Sequence, residues 1–413
     1  MGVMRSSRVA IAAAALVGIT FRALALAQAP LPAPTSGEDE KAGESKPKTM
    51  WDEFKLSAFV EQGGTFSIGG GSKGIPGSTS GGFTNLFRDY DVNQGYTFDM
   101  AELGIKRDPD AAFPYGMGLV LTVGQDAQKN HSIGIFRSDT DAFPFRNTPW
   151  FDIQEAYVSA RAPVGNGPQL KLGKFVSILG YEVIEGPSNL NYSRGYLFNL
   201  ATPLTATGGI VSYGFNDWLS AQAGLVLGWD RSNTDNAGPS GTGQIAVAPS
   251  KDLSAAFNFI VGPEISGDKN PIRWLVDVTA SYTGLAGFTL GFEFDYGWQA
   301  NDVFLTSQGL GNASAQWYGT AAYAAYDVLK DFRVALRQEW FRDVDGVRTG
   351  IPGGVTLFST TATLQYNIWK GLYTRGEYRH DQAGEVVFGC RPNIPCKSKS
   401  QDTLSVSLFY TFF

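Results

Sequence analysis

The sequence contains few of the residues that most catalytic and metal sites use. Its 413 residues include two cysteines and two histidines. No GxSxG, HExxH or P-loop string stands in a context that would support its chemistry. His131 lies in a long polar loop and His380 at the end of a strand pattern, and we expect each to be a solvated surface residue. We therefore predict no enzyme, no metal centre and no cofactor.

Long apolar runs are also missing. After the amino terminus, no segment is continuously apolar for the roughly 20 residues that a helix needs to cross a bilayer, so helical membrane spans are excluded. Any membrane-spanning structure must then be a closed β-barrel, because only helices and closed barrels satisfy every backbone polar group within lipid.

Positive charge is scarce. The chain has 33 Lys and Arg against 39 Asp and Glu, a formal net charge of −6. Phosphate binding requires a basic face, so nucleic acid is not expected as a partner. The two cysteines, Cys390 and Cys396, lie close together in a Pro-rich loop, and in an oxidising compartment we predict that they form a disulfide.

The amino terminus has the pattern of a secretory signal. Arg5 and Arg8 precede an apolar, Ala-rich stretch, and Ala-Leu-Ala at 25–27 offers a cleavage site. We predict that residues 1–27 are removed on export. Residues 28–50, rich in Pro, Lys, Glu and Gly, should form a disordered periplasmic tether. Residues 51–413 have a uniform composition, which indicates one large all-β unit.

The last strand shows the pattern that recurs throughout this unit. Apolar residues occupy one face and mostly hydroxyl residues the other: Leu404, Val406, Leu408, Tyr410 and Phe412 against Thr403, Ser405, Ser407 and Thr411, with Phe413 last. Side chains alternate across a strand, so this segment needs one apolar and one polar environment. An aromatic-ended final strand in an exported chain resembles those of outer-membrane barrels, which the barrel assembly machinery recognises.

Loop lengths predict the number of strands. Bacterial barrels have an even strand number, short periplasmic turns and longer outer loops. Short turns are predicted at 283–287, 327–331 and 367–371, and the alternation of short and long connections closes at about sixteen strands. The predicted fold class is thus an all-β, transmembrane antiparallel β-barrel, wide enough to enclose a water-filled lumen.

Aromatic residues cluster near the predicted strand ends, where amphipathic rings settle at the bilayer–water boundary. The predicted girdle comprises Trp51, Tyr96, Tyr115, Trp150, Trp218, Trp229, Trp274, Tyr282, Trp317, Tyr326, Trp340, Trp369 and Tyr410. The simpler alternative is that aromatic residues favour strands in general.

Several late strands alternate charged with apolar residues. The charged positions are Asp277, Glu293, Asp295, Arg333, Arg337, Glu339, Arg375, Glu377 and Arg379. An Arg on the lipid face at mid-membrane costs about 2–4 kcal/mol, so these side chains should face a hydrated lumen. Two interpretations remain open: an Arg–Glu network that only braces the wall, and a charged pore wall that orients passing solutes.

Several strings, in this order, resemble the outer-membrane porins of the OmpL-like group, the beta-barrel porin-2 family. They are QEAYV at 154–158, GKF at 173–175, GYE at 180–182, NYSRGY at 191–196, GWD at 228–230, GPE at 262–264, RQEWFRDVDGVRTG at 337–350 and RGEYRHD at 375–381. The resemblance implies a porin-like barrel in the outer membrane of a Gram-negative bacterium. The implied partners are outer-membrane lipid, the assembly machinery and small hydrophilic solutes, and a homotrimer is left open.

The third outer loop is the candidate constriction. In general porins the loop after the fifth strand folds into the lumen and narrows it. Here that loop, 178–206, carries Glu182, Glu185 and Arg194, and strand thirteen lies across a sixteen-stranded barrel from strand five. The hypothesis is that the loop folds inward and opposes its acidic residues to the arginine-bearing wall. The alternative is an ordinary surface loop.

Two functions from different classes follow. The first is a passive channel for small hydrophilic solutes, narrowed by this loop. The second is a structural or adhesive barrel whose lumen is blocked.

Overall fold

A computed structural model describes residues 53–69, 87–88, 90, 95–138, 148–234, 238–310, 313–389 and 396–412. The predicted signal peptide (1–27) and tether (28–50) lie outside the described residues, as do Cys390 and Phe413. The signal, the tether and the disulfide between Cys390 and Cys396 therefore stay predictions.

Within the described residues, sixteen antiparallel strands form a single closed barrel, which confirms the predicted fold class. The strands are β1 (Lys55–Gly69), β2 (Gly95–Arg107), β3 (Tyr115–Val123), β4 (Phe151–Arg161), β5 (Gln169–Val176), β6 (Thr205–Gly214), β7 (Leu219–Val226), β8 (Ser240–Ser250), β9 (Leu253–Ile265), β10 (Asp268–Tyr282), β11 (Phe288–Gln299), β12 (Ala315–Leu329), β13 (Phe332–Asp343), β14 (Val355–Trp369), β15 (Leu372–Ala383) and β16 (Ser400–Thr411).

Each strand pairs with the next in sequence, and β16 closes the barrel on β1. The closing register pairs Phe59 with Thr411 and Thr65 with Ser405. Because the sheet closes on itself, every strand has two neighbours and no edge is left unpaired. This closure is the condition for a β-structure to stand in lipid.

The two faces of the wall differ as the alternation predicts. In β16, Leu404, Val406 and Phe412 are between 45% and 60% exposed on the outer face. Thr403, Ser405 and Ser407 alternate with them and are buried inside. An apolar outer surface and a polar inner surface suit a barrel that is surrounded by lipid.

The sequence of β4 has apolar residues in both parities and so does not by itself define an inward face, and the structure shows a local cause. The register against β3 shifts between Val120 and Leu121, which pair with Glu155 and Ile153. Gln154 is therefore an extra residue, a β-bulge, and both Gln154 and Glu155 are buried. Beyond the bulge the inward parity changes, so apolar residues occur in both sequence parities.

Within the described ranges, four short helical segments lie outside the strands. They are α1 (Gln125–Lys129), α2 (Val303–Ser307), a 3₁₀ turn at Gly186–Ser188 and a π-helical turn at Leu197–Ala201. In the described part of the chain, no helix has the length and the apolar character needed to cross a membrane.

The prediction of an aromatic girdle is correct for many residues and wrong for two. Exposed rings on the outer face include those of Tyr96, Tyr115, Trp150, Trp218, Tyr282, Tyr326 and Trp369. Trp229 and Trp317 are instead buried, with ring centroids 6.0 Å apart. Trp317 faces inward on β12, and Trp229 follows Gly228, whose φ of +116° turns the chain after β7. Trp51 lies outside the described residues.

The histidine predictions are half right. His380 is part-exposed, and its Nδ1 lies 2.8 Å from Asp402 Oδ1. His131 was expected to be solvated but is buried, with its Nε2 2.8 Å from the carbonyl oxygen of Phe151. That contact holds the loop after β3 against the start of β4.

We predict that Val406→Arg will destabilise the barrel, because it puts a charge on the lipid face in the middle of β16. The expected cost is about 2–4 kcal/mol in the free energy of unfolding, measured by urea titration of protein folded into lipid vesicles. The matched control is Leu329→Arg at the turn end of β12, where about 0–1 kcal/mol is expected. Equal costs at the two positions would contradict a lipid-facing β16.

Candidate functional site

The candidate site is the connection between β5 and β6, residues 177–204, which we call the inner segment. It lies against the inward-facing side chains of β13, β14 and β15, on the far side of the barrel from β5. Its apolar side chains, among them Leu197 and Leu200, join a buried cluster with Phe341 and Leu357 of the wall. Hydrophobic burial thus favours this position over an exposed loop.

Carboxylates of the wall accept hydrogen bonds from the backbone of the inner segment. Glu377 accepts from the amides of Tyr192 (2.7 Å) and Ser193 (3.1 Å). Glu339 accepts from the amide of Tyr196 at 2.6 Å. The inner segment pairs its own backbone only in short turns, so these carboxylates supply acceptors that a strand neighbour would otherwise provide.

Arginines of the wall supply the matching donors. Arg337 donates to the carbonyl oxygen of Ser193 at 2.6 Å and pairs with Glu182 at 2.5 Å. Arg379 donates to the carbonyl oxygen of Arg194 at 2.7 Å. Each guanidinium carries five N–H donors in a planar fork, which allows one side chain to bind both a carboxylate and a carbonyl.

A third arginine holds the first half of the inner segment. Arg375 donates to the carbonyl oxygens of Gly186 (3.0 Å) and Asn189 (2.8 Å). Asn191 donates to Thr363 Oγ1 of β14 at 2.7 Å. The inner segment is thus attached to three neighbouring strands along most of its length.

Two glycines permit this close approach. A Cβ added at Gly195 would lie 2.3 Å from Glu339 Oε1, and one at Gly186 would lie 1.7 Å from Glu61 Oε2. Neither distance is sterically allowed, so a larger residue at either position would require the glutamate side chain or the inner segment to shift.

The structure brings six of the twelve predicted pore residues into one network around the inner segment: Glu182, Arg337, Glu339, Arg375, Glu377 and Arg379. Ion pairs join Glu182, Arg337, Glu339 and Arg379, whereas Arg375 and Glu377 are linked to them through the backbone of the inner segment. They were expected to face a hydrated lumen. All six are at most 4% exposed, because the inner segment covers them. Their influence on the pore stays a prediction. Their observed contacts attach the inner segment to the wall.

The other six lie apart from this network. Glu185 accepts from Gln154 at 2.6 Å, and Arg194 donates to the carbonyl oxygen of Ile184 at 2.6 Å. Arg333 lies at the turn end of β13 and pairs with Asp327 at 2.6 Å. The remaining three form a separate buried cluster: Asp277, Glu293 and Asp295.

Sequence reasoning missed Arg88. It follows a Gly- and Ser-rich stretch with no periodic signal, yet its Nη1 lies 3.0 Å from Asp381 Oδ2 and 3.1 Å from Thr403 Oγ1. Burial, together with the nearby Arg379 charge, lowers the pKa of Arg88 to about 10. Nothing in the local sequence marks this residue, because its partners come from strands about 300 positions away.

A second acidic group lies beside the inner segment. Tyr192 donates to Asp99 Oδ2 at 3.0 Å, and Asp126 of α1 is buried nearby, 3.9 Å from Lys129. Burial raises the pKa of Asp126 to about 6, although the charges of Lys129 and Arg194 oppose the shift.

The family description "Putative beta-barrel porin-2, OmpL-like" matches residues 53–412. The chain belongs to this family. No curated protein matches it. Solved structures with the same fold include the outer-membrane channel DcaP of Acinetobacter baumannii, at 13% identity and a TM-score of 0.56, covering 87% of this chain and 97% of that one.

Two further structures resemble this barrel. The anion-selective porin from Comamonas acidovorans has 14% identity and a TM-score of 0.55, covering 87% of this chain and 99% of its own. OmpF of Salmonella typhi, solved in complex with daunomycin, has 12% identity and a TM-score of 0.55, and the match covers 87% of this chain and 97% of that one. At such identities the likeness concerns the fold. Together with the family membership, it supports a solute channel of the outer membrane rather than an enzyme.

We predict that Arg337→Met will destabilise the protein by about 3–5 kcal/mol, because Glu182 then remains buried without its arginine and Glu339 keeps only Arg379, at 3.9 Å. The measurement is the free energy of unfolding in urea. The control is Arg333→Met, whose pair with Asp327 is partly exposed and should contribute about 0–1 kcal/mol. Similar losses in both variants would argue against the attachment.

We predict a pH-dependent contribution from Asp126. Its pKa in the folded state, about 6, is above its ordinary value of 3.8, so the folded state favours the neutral acid and loses stability as the pH rises through this window. The free energy of unfolding of Asp126→Asn, relative to that of the wild type, should therefore be higher at about pH 7.5 than at about pH 3.5, by about 1–3 kcal/mol. Urea unfolding at both pH values measures this.

The control for that experiment is Asp217→Asn in the exposed turn between β6 and β7. If the stability difference between Asp126→Asn and the wild type does not change with pH, the raised pKa of Asp126 is contradicted.

Proposed function

We propose that the protein is a passive channel for small hydrophilic solutes and that the inner segment narrows its lumen. The observation that carries this proposal is the attachment of an irregular segment to the inner face of a closed sixteen-stranded wall. A barrel of this size leaves an aqueous lumen unless something fills it. A segment fixed against one wall reduces the cross-section without adding a domain.

The attachment favours a rigid constriction over a mobile flap. Arg337 donates a charge-assisted hydrogen bond to the backbone of the segment, and Glu339 and Glu377 accept such bonds from amides close by in sequence. The segment's apolar side chains are buried as well. Opening the lumen by moving the segment would expose these groups unpaired, at a cost of about 1–3 kcal/mol for each. We therefore propose a size limit that is fixed by the structure.

The charges of the attachment favour selection by size over selection by charge. The arginines of the network are paired with carboxylates: Arg337 with Glu182, Arg375 with Glu61, and Arg379 with Asp381. These groups are buried and face each other and the backbone of the inner segment. Paired and covered charges give little field to a passing ion. The hypothesis of acidic loop residues opposed to a basic wall across the lumen receives no support from this arrangement.

The alternative function is a structural or adhesive barrel with a blocked lumen. The observation in its favour is that the six network residues, expected to be hydrated, are covered. Recording from the purified wild-type protein in planar bilayers separates the two functions. Stepwise conductance supports the channel. A folded barrel that never conducts would refute it and favour the blocked lumen.

We predict that deletion of residues 186–199 will raise the size cutoff for sugars in liposome-swelling assays and increase the single-channel conductance, because the deletion removes most of the narrowing segment. Heat-modifiable migration on gels verifies that the variant is folded. Arg333→Met, outside the attachment, should keep the wild-type cutoff. A folded deletion variant with an unchanged cutoff would end the constriction hypothesis.

A further inference from the structure

A second cluster of charges lies in the wall beside the root of the inner segment. Asp277 of β10 stands directly opposite Asp295 of β11, and Glu293 lies two residues before Asp295 on the same inward face. All three side chains are completely buried. One oxygen from each lies within 4.8 Å of the others.

This cluster lacks the arginines that neutralise the attachment network. Within the described residues, Glu182, Glu339 and Asp381 each pair with an arginine, whereas no ion pair engages the three clustered carboxylates. The nearest charged groups are further acids. A buried charge without a counter-charge is costly, so these carboxylates must either take up protons or bind a cation.

The oxygens of the cluster are largely without donors. Asp277 accepts from Asn258 through one oxygen, and Glu293 accepts from the Tyr323 hydroxyl at 3.2 Å. With all three carboxylates ionised, Asp277 Oδ2, Glu293 Oε1 and both oxygens of Asp295 accept no hydrogen bond from a donor side chain of the described residues, and Asp277 and Asp295 lie close enough to share a proton. One oxygen of each carboxylate faces the same small volume.

A neutral neighbour gives a second, independent observation. Asn258 of β9 stands opposite Asp277, is 1% exposed, and directs its side-chain amide at that carboxylate. Its own oxygen, Oδ1, has no partner. Rotation of the amide by half a turn would direct this oxygen at the cluster, because the amide group is nearly symmetric in shape.

We propose that Asp277, Glu293 and Asp295, with Asn258 as a neutral fourth ligand, form a binding site for a divalent cation of the calcium type. Carboxylate and amide oxygens are the ligands that calcium prefers, at about 2.3–2.6 Å, so two oxygens on opposite sides of one ion are about 4.8 Å apart. The observed separations fit this limit. Calcium also tolerates the irregular geometry that a β-sheet surface imposes better than magnesium does.

The cation would fix the start of the inner segment as well as the wall. Tyr181 of this segment stacks on Tyr323, whose hydroxyl binds Glu293, with ring centroids 4.5 Å apart. The backbone amides of Gly180 and Tyr181 face Asp277 and Glu293. An ion held by the three carboxylates would therefore stabilise both the β9–β11 part of the barrel and the first turn of the inner segment.

Terbium luminescence tests this proposal on the intact protein. Tb³⁺ takes the same oxygen ligands as Ca²⁺, and Tyr181 and Tyr323 lie close enough to sensitise its emission. After treatment with a chelator, the full-length protein in detergent should show saturable Tb³⁺ emission, with one ion bound for each chain, that Ca²⁺ displaces. Ca²⁺ should also raise the midpoint of thermal unfolding.

The diagnostic variant is Asp295→Asn, which keeps the shape of the side chain and removes one ligand charge. We expect its Tb³⁺ and Ca²⁺ affinities to fall about 10–100-fold. Asp217→Asn, in an exposed turn, removes the same charge elsewhere and should bind as the wild type does. Asp277→Asn provides a second variant if Asp295→Asn does not fold.

Two results would overturn the proposal, and neither depends on conduction. One is a chelated wild-type protein that shows no saturable Tb³⁺ emission and no Ca²⁺-dependent shift in thermal unfolding. The other is a folded Asp295→Asn or Asp277→Asn protein that binds both ions as tightly as the wild type.

Discussion

An irregular stretch of chain inside a barrel needs hydrogen-bond partners for its backbone, and the structure depends on how this need is met. The inner segment has no strand neighbour. Its amides instead reach Glu339 and Glu377, and its carbonyls reach Arg337, Arg375 and Arg379. The charges of the wall need partners just as much, because burial of an unpaired ion is costly. Wall and segment therefore stabilise each other.

This mutual dependence links the fold to the proposed function. The closed sheet satisfies its own backbone and presents an apolar surface outward, which makes it compatible with lipid. The same closure places β13–β15 opposite β5, so that a connection after β5 can reach them. The inner segment must bury its apolar side chains and pair its backbone groups, and the opposite wall meets both requirements. The proposed narrowing of the lumen is a consequence.

The charged interior divides into two parts with different chemistry. Around the inner segment, arginines are paired with carboxylates. Beside its root, three carboxylates share a small volume, and no arginine is paired with them. The first arrangement contains its own positive charges, whereas the second does not. This contrast, rather than acidity alone, is the reason for assigning a cation to Asp277, Glu293 and Asp295.

The sequence by itself determined the barrel, because alternation and loop parity are local properties: it predicted sixteen strands, the outward face of β16 and the inward charges. It did not find the bulge at Gln154, the buried positions of Trp229 and Trp317, or the role of Arg88. Only the tertiary structure decided which inward charges meet the inner segment and which remain together unpaired. That depends on how strands distant in sequence are placed across the barrel, which no local pattern encodes.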